Sequence, residues 1–168
     1  MQKVDLPDGL GIRLARANDG PFLAALFQES REHFYIAEQE NDYIRALIEQ
    51  QQEIQTNAYG QQTPDAMDYI IDRQGTRIGK VTIDFGKNVA HIVDLVLTKA
   101  VRGKGYGKSI IQAFQYVAHK QSLPVCLSVE KQNTLAKNLY LSLGFATEEQ
   151  TATHEFMYWY PHKSKIYC

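Results

Sequence analysis

Cysteine is scarce in this 168-residue chain: two occur, Cys126 inside an apolar run and Cys168 at the end. Two thiols do not make a disulfide framework, and neither belongs to a CxxC pair or a Cys/His group of zinc spacing. His33, His119, His154 and His162 are scattered, so no metal site is expected. A surplus of either charge is also missing: 18 Lys and Arg stand against 19 Asp and Glu, a net charge of -1. Nucleic acid is therefore not the expected partner, because phosphate contacts call for a basic surplus. No stretch approaches the roughly 18 apolar residues of a membrane span. Met1 to Gly11 carries Asp5, Pro7 and Asp8 without an apolar core, so no signal peptide is expected either. What is present is globular composition, 44% apolar and 22% charged. The expectation is one cytoplasmic domain over residues 1–168, with its motif-bearing core from about 12 to 160.

Patterning divides the chain into an α-rich first third and a β-rich remainder. Ile12 and Leu14 alternate like a short strand. Asn18 or Asp19 then offers an N-cap, Pro21 a first-turn proline, and Phe22, Leu23, Leu26 and Phe27 a helical face. A second helix is expected from Asp42, and Ala58 to Asp65 reads as a loop. Tyr69 to Asp72 and Ile78 to Phe85 read as two strands joined by a turn, with Gly79 marking a bulge. Val89 to Leu97 is a further strand, and a helix follows from about Tyr106 with Ile110, Ile111, Phe114 and Val117 at helical spacing. Leu123 to Val129 reads as a strand, and Thr134 to Leu143 as a helix stopped by Gly144. Phe145 to Thr147 and His154 to Tyr160 complete the order β-α-α-β-β-β-α-β-α-β-β. The late β-α-β crossover needs parallel neighbours, whereas the short turns before it need antiparallel ones. The expected fold class is α/β of the α+β type: a mixed, mostly antiparallel sheet of about six to seven strands flanked by helices.

Chemistry concentrates in one segment. A strand through Leu95, Val96 and Leu97 ends, and a loop with Gly103, Gly105 and Gly107 leads into a helix. Lys99, Arg102, Lys104 and Lys108 fall within ten residues that hold no acid. Glycines permit close backbone approach, and a helix N-terminus favours an anion, so an anionic ligand is expected over a merely solvated turn. A dinucleotide fingerprint fails because its third glycine would be Lys108. A P-loop matches at Gly107-Lys108-Ser109 but has Arg102 where its first glycine belongs.

Arg102-Gly-Lys-Gly105-Tyr106-Gly107 resembles the R/Q-x-x-G-x-G/A acyl-CoA pyrophosphate loop of the GNAT acetyltransferase superfamily. Asn133 to Phe145 resembles its N-x-x-A-x-x-L-Y-x-x-x-G-F signature through Asn133, Ala136, Leu139, Tyr140, Gly144 and Phe145. The resemblance implies an acyl-CoA N-acyltransferase-like fold and acetyl-CoA as co-substrate, without a metal. Backbone groups of Leu95, Val96 and Leu97 would pair with the pantetheine arm, and Gly103 to Lys108 would cradle the pyrophosphate. Asn133 would contact the cofactor, although Asn is also an ordinary N-cap. Lys137 could reach a CoA phosphate or be a solvated helix lysine.

The resemblance further implies direct attack by an amine in a ternary complex. Tyr140 matches the tyrosine that protonates the departing sulfur, and the Leu97 N–H matches the oxyanion donor. Tyr140 also reads as a packed aromatic beside Leu139 and Leu143. The base stays open between His91, Asp94 and a water relay, because Ser128 stands where many relatives carry a glutamate. That serine also keeps open a non-catalytic acyl-CoA-binding regulator. The expected acceptor is a small-molecule or peptide amine, which the acids between Glu29 and Glu53 could attract; a homodimer is left open.

Overall fold

The computed structural model describes residues 4–30 and 65–161. Strands β1 (Val4–Asp5) and β2 (Leu10–Leu14) lead to helix α1 (Gly20–Ser30). After residue 64 come β3 (Met67–Arg73), β4 (Thr76–Phe85), β5 (Ala90–Leu97), α2 (Tyr106–Lys120), β6 (Val125–Glu130), α3 (Thr134–Ser142), β7 (Ala146–Gln150) and β8 (His154–Trp159). Among the described residues these strands form one sheet in the order β1-β2-β3-β4-β5-β6-β8-β7. Every pair is antiparallel except β5 with β6, so the mixed, mostly antiparallel sheet expected from the sequence is present. The helix expected from Asp42, most of the Ala58 to Asp65 loop, and His33 lie outside the described residues.

Alternation along the strands sends Ile12, Ile71, Val81, Ile92, Leu127 and Met157 to one face, where α2 contributes Ile110, Ile111 and Phe114. Ala136, Leu139 and Tyr140 of α3 pack on the same core. α1 lies against β4 and β5 and buries Leu26. Gly79 sits beside an irregularity where β4 carries Ile78 as an extra residue between the pairs Gly79↔Ile71 and Arg77↔Asp72. A Cβ on Gly79 would come within 2.8 Å of Leu97 Cδ2, so the close approach of β5 requires the glycine.

Both later helices end in the same hydrogen-bonded stop. In α2, Leu123 N–H donates to Ala118 O (2.8 Å) and Ser122 N–H to His119 O (3.1 Å), with Ser122 at φ 57. Leu123 therefore belongs to the helix stop and β6 begins later than the apolar run suggests. In α3, Phe145 N–H donates to Tyr140 O (3.0 Å) and Gly144 N–H to Leu141 O (3.1 Å), with Gly144 at φ 93. Phe145 likewise closes the helix instead of opening β7.

Asp19 does not cap α1 as its position suggests. Its fully buried carboxylate accepts from Arg13 Nη1 and Nη2 (2.8 and 2.9 Å) and from the Arg16 N–H (2.7 Å), with Arg77 Nη1 at 3.3 Å. Hydrogen bonds from Arg13 outweigh the cost of burial and hold this carboxyl well below the usual carboxylate range. Its ionised form thus stabilises the fold above the unfolded pKa of about 3.9, and that contribution is lost as pH falls towards the folded value. Asp19→Asn is expected to cost about 3 kcal/mol, the scale for breaking a buried ion pair, and to flatten the acid limb of the stability profile. Urea unfolding at neutral pH and near pH 3 checks both.

Candidate active site

The site begins where two parallel strands part. β5 and β6 are in register at Ala90↔Val125, His91↔Cys126 and Ile92↔Leu127, and there the pairing ends. Beyond it, Val93–Leu97 runs beside β4 alone, and Ser128–Glu130 beside β8 alone. A bulge lies at the parting point: Ile83 pairs with Ile92 and Thr82 with Asp94, leaving Val93 as an extra residue. Bulges bend and overtwist a strand, which carries β5 away from its neighbour. The result is a cleft at the carboxyl ends of parallel strands, edged by backbone groups of β5 that, among the described residues, have no sheet partner on that side.

At the top of the cleft, Lys99–Val101 forms a short 3₁₀ turn and the glycine loop follows. Gly103 and Gly105 have φ of 77° and 83°, which side chains rarely adopt, while a Cβ on either would meet nothing within 4 Å. Backbone conformation, not internal crowding, explains these glycines. Gly105 is the N-cap of α2 and no side chain caps it, so first-turn N–H groups are available to an anion. Tyr106 carries the Arg73 guanidinium 5.5 Å above its ring, linking the start of α2 to β3. Lys104 and Lys108 are exposed. Arg102 is exposed too, but it is tethered: its Nε donates to Leu97 O at 3.0 Å, and Nη2 lies 4.0 Å from Glu29. Glu29 also accepts from the Lys99 N–H, so α1 grips the loop's first turn.

Tyr140 lies half-buried on α3, its ring 6.0 Å from that of Phe145. Burial, then the charge of Asp94, raises its pKa above the ordinary tyrosine value, so the hydroxyl keeps its proton at neutral pH. Asp94 is paired at 3.4 Å with Lys80, a partner the sequence did not suggest. His91 sits below the cleft; burial pushes its imidazole down against an upward pull from Asp84, leaving it neutral near pH 7. Asn133 is the N-cap of α3, accepting from the Ala136 N–H at 3.3 Å. Lys137 pairs with Glu155 at 2.6 Å. No group of three or more metal-ligating side chains occurs among the described residues. A groove of about 830 Å³ beside α2, floored by Tyr69 and Phe85, contains none of the expected site residues.

The family model of the GNAT acetyltransferases matches residues 16–145, spanning both the loop and the α3 motif. The chain belongs to the GNAT acetyltransferase family. Solved structures share its fold at low identity. The PaiA N-acetyltransferase of Thermoplasma acidophilum in complex with coenzyme A is 22% identical over 90% of this chain and 98% of its own, with TM-score 0.66. RimL, a ribosomal alpha-N-protein acetyltransferase in complex with coenzyme A, is 15% identical over 95% and 98%, with TM-score 0.67. A spermidine N-acetyltransferase SpeG chimera from Vibrio cholerae and hSSAT is 20% identical over 90% and 95%, with TM-score 0.64. No curated protein matches the chain in sequence.

A carboxylate at the N-cap of α2 would oppose a bound diphosphate. Gly105→Glu is expected to lower coenzyme A affinity by about 100-fold or more with the fold retained. Gly105→Asn, which tolerates the left-handed conformation without charge, should lose less than about tenfold. Titration calorimetry and circular dichroism on both variants decide the matter.

Proposed function

We propose that this protein is an acetyl-CoA-dependent N-acetyltransferase, moving the acetyl group to a primary amine by direct attack in a ternary complex. The observation that carries this reading is the alignment of an unpaired β5 edge with an uncapped, glycine-bounded helix N-terminus above it and a protonated tyrosine beside it. Acetyl-CoA would supply the activated thioester. The N–H groups of Gly103 to Lys108 would hold its diphosphate, and the edge of Leu95 to Leu97 its pantetheine arm. Arg102 holds the Leu97 carbonyl, which fixes the peptide plane that follows and steadies the end of the edge.

Two protons must move. The amine loses one as the new C–N bond forms, and the sulfur gains one as the C–S bond breaks. Tyr140 donates to the sulfur; a raised pKa keeps that proton available until negative charge develops on the leaving group. We assign the amine's proton to Asp94, directly or through water. Of the two candidates, Asp94 is the one whose charge is felt at Tyr140, while His91 belongs to the paired part of the sheet. Ser128 offers no carboxylate, and Asp94 supplies one across the cleft. The coenzyme-A-bound and amine-acetylating relatives support the donor and the acceptor type.

Tyr140→Phe keeps the ring that packs on Phe145 and removes the acid. The expected outcome is a kcat lower by about 100-fold with acetyl-CoA affinity and melting temperature unchanged. Free-thiol release against an amine panel measures the first, calorimetry the second. A kcat within about twofold of the parent would make Tyr140 a packing residue.

A further inference from the structure

Helix α3 is thinly held for an element that carries a proton donor. None of its residues is fully buried, and its apolar contact with the core comes from Ala136, Leu139 and Tyr140, each half-buried. Apolar contact is non-directional: it decides which face of a helix turns inward and leaves the exact placement of that face loosely set. Two polar grips supply what packing leaves open, and they stand one turn on either side of Tyr140.

Three residues before the tyrosine, Lys137 Nζ meets Glu155 Oε2 of β8 at 2.6 Å, while Glu155 Oε1 accepts from Thr147 Oγ1 of β7 at 2.8 Å. Glu155 is buried, and its hydrogen bond with Lys137 holds the carboxyl below the usual carboxylate range, so the pair is ionised at neutral pH. Three residues after the tyrosine, the Leu143 carbonyl accepts from Gln115 Nε2 of α2 at 2.9 Å. Gln115 is the one polar side chain that α2 buries, beside Ile110, Ile111, Phe114 and Ala118. An apolar residue would fill that space; an amide fixes a distance and a direction as well. The Leu143 N–H in turn donates to Tyr140 O at 3.1 Å, so two hydrogen bonds lead from α2 to the backbone of the tyrosine. α2 also presents the uncapped N-terminus at Gly105, about 15 Å from Gln115 at ordinary helical rise. The anion-accepting helix end and one grip on α3 thus belong to a single rod.

We propose that Gln115 and Glu155 are positioning residues for acyl transfer: by gripping α3 one turn after and one turn before Tyr140, they hold its hydroxyl at a fixed place relative to a thioester lying along β5. The proposal rests on the assignment of Tyr140 as the proton donor given above. Both residues act through the placement of the helix, and neither donates or accepts a proton in the reaction.

Gln115→Met keeps the length of the side chain and removes its donor, and Glu155→Gln keeps the shape and removes the charge. In the full chain each is expected to lower kcat about tenfold with acetyl-CoA affinity within about twofold, the scale of a sub-ångström misplacement of a reacting group. In a Tyr140→Phe background the same substitutions should cost less than about twofold, because the group they position is gone. Asp19→Asn, which weakens the fold between β2 and α1, controls for stability and should leave kcat within about twofold. Gln115→Leu, smaller and well suited to a helix, takes the place of Gln115→Met if that variant does not fold. Losses that persist in full on Tyr140→Phe, or that Asp19→Asn reproduces, would overturn the proposal. Unchanged kcat in both grip variants beside a large loss in Tyr140→Phe strikes the grips alone, whereas unchanged kcat in Tyr140→Phe strikes the donor assignment first. A second readout needs no turnover: 3-fluorotyrosine in place of Tyr140, followed by fluorine NMR with coenzyme A added. One narrow resonance is expected in the parent and in Asp19→Asn, shifted or broadened in Gln115→Met and Glu155→Gln; a resonance that neither grip variant alters would refute the grips.

Discussion

The parting of β5 from β6 is the constraint on which the rest of this molecule depends. Up to Ile92↔Leu127 the two strands form an ordinary parallel pair; past it they run with separate partners. An open sheet edge inside a domain leaves backbone donors and acceptors without mates, a cost the fold bears only where something else completes them. Here β5 is secured from the other side by the long β4 and by the inserted Val93, which changes its course without breaking that pairing. The same inserted residue resets the alternation, bringing Asp94 opposite Thr82 while Leu95 returns to the core. One extra residue thus opens the cleft and orients a carboxylate at its wall.

Placement of Tyr140 is a matter of helix termination. α3 stops through hydrogen bonds that close on the Tyr140 carbonyl, and the residue that closes them, Phe145, is also the ring against which Tyr140 lies. Gly144 permits the turn by its φ of 93° and by leaving room for Trp159, whose Cδ1 would stand 3.2 Å from a Cβ. Tyr140 is therefore fixed at both backbone and ring by the motif that ends its helix. This is why a signature recognised as a string of letters, from Asn133 to Phe145, is physically one object: a capped start, a polar and an apolar face, and a locked stop.

Much of this was legible in the sequence because it is written in local rules. Glycines at positive φ, an N-cap asparagine and strand alternation are decided by near neighbours, and the loop and α3 were placed correctly from them. The Val93 bulge left a trace as well, since the core-facing positions run Ala90, Ile92, then Leu95, Leu97, a phase jump that a strict two-residue period forbids. What the sequence did not disclose is pairing between distant segments. Asp19 looks like a cap by position, but Arg13 and Arg77 claim it through the tertiary fold. β1 is two residues long and exists only against β2. Lys80 with Asp94 requires the register of β4 on β5, and Lys137 with Glu155 requires the strand order, in which β8 intervenes between β6 and β7.

That order leaves β7 at the sheet margin with all five residues exposed. A bare margin strand is a template on which another chain can add itself, the first step towards aggregation. β7 counters this with the adjacent charges of Glu148 and Glu149 and with an irregularity between Thr147 and Glu149 that spoils a straight template. A variant in which both glutamates are neutralised would give up that charge and expose the margin to self-association at high concentration.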